Sequence, residues 1–433
     1  MQRKTALSRP AFAKPPKSWP SFFTSACGLI CFLIMLEVVK IQKYFSTFSA
    51  GIFLLLSIAV PIILAEALIF KSYKHEETDL DFRHGGRPDL KRVLIKLFGL
   101  YVSMLMIGAC YYIYPEYSTH FYKNYFQLLK YLIPGTCILA FPYIYILDKY
   151  LLDKEDSNWH AGMFFLGQTR SVDKEILKNH ILGWFVKGFF LPLMFSFFIQ
   201  NIGTFQNQTI AAAVYELFTK SPYTFYHTMI TLIFTIDLAY VSVGYIMTFR
   251  IFNSHIRTVE PTFLGWFVAL ACYHPFWNQI NAMYLSYNKD NLNFDGWLSD
   301  YPHLLIAWGV TILLSLVVYV WATIQFGIRF SNLTHRGIIT NGPYKYCKHP
   351  AYVSKNLSWW LIAVPFISNE SYVDAIKNCL LLANVNLIYY LRAKTEEAHL
   401  GRDKTYQQYM AYMKEYSLYS RVKKFLKARV VAA

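Results

Sequence analysis

Of the 433 residues, 55% are hydrophobic and 16% charged, a balance that argues against a water-soluble multidomain protein and points to a chain built for lipid. The formal net charge of +16 is no nucleic-acid footprint, because the basic residues sit in short connections and tails, where positive-inside sorting and anionic headgroups account for them. Seven cysteines form neither a disulfide framework nor a zinc spacing: Cys27, Cys31, Cys110, Cys137, Cys272 and Cys379 lie in apolar runs as small hydrophobes, and Cys347 either lines a site or is a spacer.

A spanning helix needs about 20 mostly apolar residues, and about ten segments qualify, so the expected fold is an all-α polytopic integral membrane protein. Residues 1–20 carry five Lys or Arg and no acid, and form a basic tail. The apolar run Ser21–Val39 is longer than a signal-peptide core and has no small-x-small cleavage site after it, so it reads as the first membrane helix. Further expected spans are Ser46–Phe70, Leu94–Tyr114, Leu128–Leu147, Ile181–Gln200, Tyr223–Phe249, Phe263–Tyr287, His303–Gln325, a short Leu357–Ile367 and Tyr372–Leu391. The connections Lys71–Arg92, Lys149–Lys178, Arg250–Arg257, Arg329–Lys355 and the tail after Arg392 hold most of the basic residues. The alternate connections hold little more than Lys123, Lys220 and Lys289, so both termini are expected in the cytosol.

No repeat or low-complexity linker divides the chain. A boundary is expected by function alone, with a membrane region of unnamed role at 21–288 and a second region at 289–433. Within the first, Glu66, Asp237 and His274-Pro275 are candidates for an internal polar site, and interhelical hydrogen bonding explains them equally well.

The chemistry is concentrated in one polar stretch, Gly337 to Tyr352, and in Arg392-Ala-Lys-Thr-Glu-Glu397. Asn341-Gly342-Pro343 demands a turn and His349-Pro350 a second break. Gly342-Pro343-Tyr344, Lys348-His349-Pro350-Ala351-Tyr352 and Arg392 with Glu396-Glu397 resemble the cofactor signature of the isoprenylcysteine carboxyl methyltransferase and phosphatidylethanolamine methyltransferase superfamily. The resemblance covers about the last quarter of the chain. Lys348 stands where the family usually has arginine, no Phe-Gly follows the acidic pair, and Leu418-Tyr419-Ser420-Arg421 replaces a proline-containing ending.

The resemblance implies a methyltransferase-like helical core at 289–433 with a cytosolic C-terminal cap, acting on a lipid or lipid-linked acceptor in a bacterial inner membrane or the endoplasmic reticulum. It implies S-adenosylmethionine as cofactor, held by Gly342, Tyr344, His349, Pro350, Tyr352, Glu396 and Glu397. Arg392 is the catalytic candidate, with a plain Arg392–Glu396 surface pair as the bland alternative. Trp359 and Trp360 either anchor at the interface or line the lipid-access groove as substrate-binding residues. No metal is expected, because His349 lacks a His-x-x-x-His or Cys-x-x-Cys companion. The tyrosines Tyr406, Tyr409, Tyr412, Tyr416 and Tyr419 recur at helical spacing and read as one aromatic flank of an amphipathic helix that lies on anionic headgroups or closes the site. Two rivals stand: an NADPH-dependent reductase similar to the membrane sterol reductases, and a transporter or sensor that binds a nucleotide-like ligand without turnover.

Overall fold

The computed structural model describes residues 14–18, 22–41, 45–207, 214–215, 222–289 and 292–432, so most of the basic tail lies outside the described residues. The helices are α1 (Phe22–Ile41), α2 (Thr47–Leu64), α3 (Leu90–Ile113), α4 (Lys123–Tyr150), α5 (Ser157–Phe165), α6 (Lys174–Asn207), α7 (Pro222–Ile246), α8 (Phe263–Leu270), α9 (Phe276–Met283), α10 (Phe294–Trp297), α11 (Pro302–Ile324), α12 (Pro350–Ala363), α13 (Tyr372–Leu400), α14 (Lys404–Tyr416) and α15 (Leu418–Ala432). Two two-residue strands, β1 (Thr258–Val259) and β2 (Thr334–His335), pair antiparallel. The fold is all-α and polytopic: among the described residues seven helices, α1, α2, α3, α4, α6, α7 and α11, are long and apolar enough to cross a membrane.

These helices are apolar on all sides. Ile34, Leu105 and Ile138 are more than 60% exposed, which lipid tolerates and water does not. Ile58, Phe198, Tyr240 and Ile312 make the shared core of α2, α6, α7 and α11. Small residues set the close approaches: a Cβ on Gly99 of α3 would collide with the backbone of Gly162 in α5.

The three remaining expected spans differ from the sequence reading. Phe263–Tyr287 is two eight-residue helices, α8 and α9, because the turn at 271–275 ends in Pro275, which carries no N–H to continue the ladder. The short span opens seven residues before Leu357, at Pro350, because proline is suited to the first helical position. It closes at Val364 in left-handed conformation (φ 38°). At 14 residues it is about 21 Å long, still short of a hydrocarbon core of about 30 Å. The last expected span, Tyr372–Leu391, is part of a longer helix, α13, that runs on to Leu400 and carries Arg392, Glu396 and Glu397 beyond that span.

The basic connections interlock at one end of the bundle. Arg250 donates to the Thr78 carbonyl, the Asp81 N–H to the Tyr150 carbonyl, and Arg257 to Glu77. The Arg336 guanidinium fans out to the carbonyls of Gly244, Met247, Ser254, Ile328 and Phe330, tying the end of α7 to the approach to the Gly337–Tyr352 stretch. Thr340 bonds to Ser18 and Pro16, which brings the start of the described chain to the same end.

The internal polar candidates resolve into three different arrangements. Glu66 forms a buried pair with Arg329 (2.9 Å). His274 pairs with Glu116 (2.9 Å), beyond the far end of α3. Asp237 accepts hydrogen bonds from Tyr319 (2.7 Å) and Thr323 (2.6 Å), whose side chains border the site described next.

Candidate active site

At the interlocked end, the Gly337–Tyr352 stretch folds against α13, and the two enclose a cleft of about 970 Å³ including its open mouth. α13 supplies one wall. Tyr389, Arg392, Glu396 and His399 climb it in order over about 15 Å toward the connection end. Tyr344, Lys348, His349 and Tyr352 form the facing wall, with Tyr319, Thr323 and Lys355 below them.

The turn that aims this wall needs Gly342. Its φ is +53°, and a Cβ there would press on the Gln325 side chain. Pro350 is buried in the first turn of α12. Gly342 and Pro350 do not line the cleft; they shape the chain on either side of Tyr344 and His349. Tyr344 meets Phe326 edge to face (5.7 Å), and its carbonyl accepts the Tyr409 hydroxyl of α14 (2.7 Å). Tyr406, Tyr409 and Tyr412 are thus buried against Ile338 and Leu400, so of the two roles expected of this flank the contacts show the one that covers the signature stretch. Tyr419 is exposed and belongs to the next helix.

The two neighbouring glutamates take different parts. Glu397 accepts from His349 (3.1 Å), Lys394 (3.1 Å) and Lys348, and is 13% exposed. Burial pushes its carboxyl up, but these three hydrogen bonds outweigh it and hold Glu397 well below the usual carboxylate range. Glu397 is spent on fixing the Lys348-His349 turn to α13 and does not line the cleft. Glu396 does, with its side chain 39% exposed and a hydrogen bond from the Tyr352 hydroxyl (2.9 Å). The ring of His349 lies parallel to Tyr352 (5.5 Å between centroids, 2° between planes).

Arg392 forms no surface pair with Glu396. Its guanidinium turns inward among the rings of Tyr352 (5.1 Å), Tyr273 (5.3 Å) and Tyr389 (5.9 Å), and donates to Asn332 Oδ1 (2.6 Å). Among the described residues no carboxylate lies within 4.0 Å of it, so a buried cation faces the cleft with aromatic faces and an amide as its company. Trp359 and Trp360 do not reach this cleft. Trp359 lines a second cavity with Asn281, Tyr287 and Asn293, and the Trp360 indole donates to Asn386 (2.9 Å).

Sequence reasoning missed Tyr389, Tyr273, Asn332 and Glu260. Tyr389 had a signal, since it precedes Arg392 by three positions on one helical face. The others come from distant segments and had none. Among the described residues, no group of three or more His, Cys, Asp or Glu is arranged to hold a metal ion.

The model of the isoprenylcysteine carboxyl methyltransferase (ICMT) family matches residues 304–402, less than a quarter of the chain. The C-terminal region, from α11 through α13, is therefore of the isoprenylcysteine carboxyl methyltransferase-like superfamily of membrane methyltransferases. Searches of curated proteins and of solved structures returned no match.

Proposed function

We propose that this protein is an integral membrane methyltransferase that uses S-adenosylmethionine and methylates a lipid or lipid-linked acceptor arriving from the bilayer. The observation that carries the reading is the polarity of the cleft along α13. Carboxylate and imidazole groups occupy its outer part, Glu396 and His399, and a tyrosine-lined cation occupies its inner part, Arg392. The residue set fits a nucleoside with an amino-acid arm: Tyr344, Tyr352 and His349 offer flat faces, and Glu396 offers acceptor oxygens to ribose hydroxyls or an ammonium. When bound, the cofactor supplies a methyl group already activated on a sulfonium. The protein's task is then alignment and exclusion of water. Glu397 keeps His349 and Lys348 in register with α13, and Tyr409 holds Tyr344 from behind. Arg392 meets the acceptor's polar end at the inner part of the cleft, and short α12 lets that end be approached from headgroup depth.

The reading is tested with full-length protein in lipid nanodiscs. S-adenosylhomocysteine should raise the thermal midpoint, and NADPH should not, because only a ligand that favours the folded state does so. Glu396→Gln should weaken S-adenosylhomocysteine about 10- to 100-fold, the loss of a charge-assisted hydrogen bond. Label from S-adenosylmethionine should enter membrane lipid extract and not the aqueous metabolite fraction. Stabilisation by NADPH alone would replace this reading with a reductase, and label in neither fraction would support a non-catalytic binder.

Both termini and the cleft mouth are proposed to face the cytosol, supported by the meeting of the basic connections at one end. Reporters fused after Ala433 and within Lys149–Lys178 should both report cytoplasm. A signal from the far compartment at either position would reverse the orientation.

A further inference from the structure

We propose that Glu260, which lies outside the matched segment and in the N-terminal region of unnamed role, is a ligand-binding carboxylate of the cleft and holds the amino group of the cofactor. The inference rests on reading the cleft as an S-adenosylmethionine site, and extends that site to a part of the chain that carries no signature.

Glu260 is fixed to the signature stretch by backbone. It follows directly on β1, and its N–H donates to the Leu333 carbonyl (2.8 Å), just before β2, while the Arg257 N–H donates to the His335 carbonyl (2.9 Å). The side chain is 4% exposed and lines the outer part of the cleft. One carboxylate oxygen, Oε1, is satisfied by the N–H (3.0 Å) and hydroxyl (2.5 Å) of Thr262. The other, Oε2, has His399 Nδ1 at 4.0 Å, beyond hydrogen-bond reach.

A carboxylate on a buried residue, with one oxygen held by Thr262 and the other left to the cleft, calls for a cation. The residues around it do not supply one. His399 spends its Nε2 on the Thr258 hydroxyl (2.9 Å), and burial pushes its imidazole down toward the neutral form against the pull of Glu260. Lys348 is committed to Glu397, and Arg392 sits two turns further in, among its tyrosines. The outer cleft therefore holds an anion whose partner must arrive with the ligand. An α-ammonium is the cation that S-adenosylmethionine carries apart from its sulfonium, which must lie near the acceptor. Gly265 supports the assignment: a Cβ there would overlap Cγ of Glu260, so the glycine keeps clear the space in which this carboxylate stands.

The test pairs Glu260→Gln with S-adenosylhomocysteine and its desamino analogue, titrated on full-length protein in nanodiscs. Glutamine keeps the size and the Thr262 contacts, and the ligand-free thermal midpoint reports folding. Glu260→Gln should weaken S-adenosylhomocysteine about 10- to 100-fold and leave the desamino analogue within about twofold, because the variant and the analogue remove the two ends of one contact. Gly265→Ala, which displaces the carboxylate, should show the same selectivity. Equal loss for both ligands would place Glu260 against the nucleoside and overturn the assignment, as would unchanged binding of S-adenosylhomocysteine. If the parent protein binds neither ligand, the cofactor reading itself fails and the inference falls with it.

Discussion

Arg392→Met is expected to reduce methyl transfer about 100-fold or more while S-adenosylhomocysteine still binds within about threefold of the parent protein. The guanidinium is buried, no carboxylate lies within 4.0 Å of it among the described residues, and its charge is met by three tyrosine faces and the Asn332 side-chain oxygen. Such a cation lacks a full counter-charge until an anionic or strongly polar acceptor group takes the place in front of it. Truncating one partner of a buried charge contact costs about 2 to 5 kcal/mol, which spans roughly thirtyfold to several thousandfold. Met fills much of the same volume between the rings, so the fold should persist. Arg392→Lys separates charge from shape: the ammonium keeps the charge but loses the planar fork that stacks on Tyr352 and Tyr273, and transfer should fall to an intermediate value. The assay is initial rate with labelled donor alongside a binding titration. Full activity in Arg392→Met would remove Arg392 from the reaction, and parallel loss of cofactor binding would make it a support of the outer cleft instead.

The residues that made Arg392 conspicuous show where sequence reasoning carries and where it stops. The long apolar runs are legible because a run of about 20 apolar residues has few alternatives. Phe263–Tyr287 has the same composition, and only the geometry of Pro275 turns it into two short helices. Proline misled in the opposite direction at Pro350, where the dipeptide with His349 reads as a break and is the opening of α12. The tyrosine repeat of α14 is visible as one helical face, but the same periodicity serves lipid headgroups or the back of a loop, and only the Tyr409–Tyr344 contact decides. Glu396 and Glu397 are adjacent and chemically identical, and their roles part because the helix turns one toward Tyr352 and the other toward Lys348 and His349. Glu260 has no local pattern at all; its relevance arises from a two-residue strand pairing with a segment 75 residues further along the chain.

Glu66→Gln should destabilise the protein by about 3 to 5 kcal/mol, the largest stability effect expected of a single conservative change here. Glu66 stands in the π-helical turn (Ala65–Ile69) that ends the α2 span, and Arg329 follows α11, so the pair joins the first two helices to the methyltransferase-like region. Both side chains are about 1% exposed. Arg329 Nη1 and Nη2 reach the two carboxylate oxygens at 2.9 and 3.2 Å, and the remaining donors go to the carbonyls of Asn253 and Phe252. Removing the negative charge leaves a buried guanidinium uncompensated, whereas removing both charges avoids that penalty. The double variant Glu66→Leu/Arg329→Met should therefore be more stable than Glu66→Leu alone. It should stay below the parent, because the Asn253 and Phe252 carbonyls lose their donor. A thermal or denaturant series of the two single variants and the double variant yields the coupling energy directly. A coupling below about 0.5 kcal/mol would mean that the pair does not hold the two regions together. In that case the polar ties of the matched region to the rest of the bundle run through α7 instead, where Arg336 binds the carbonyls of Gly244 and Met247.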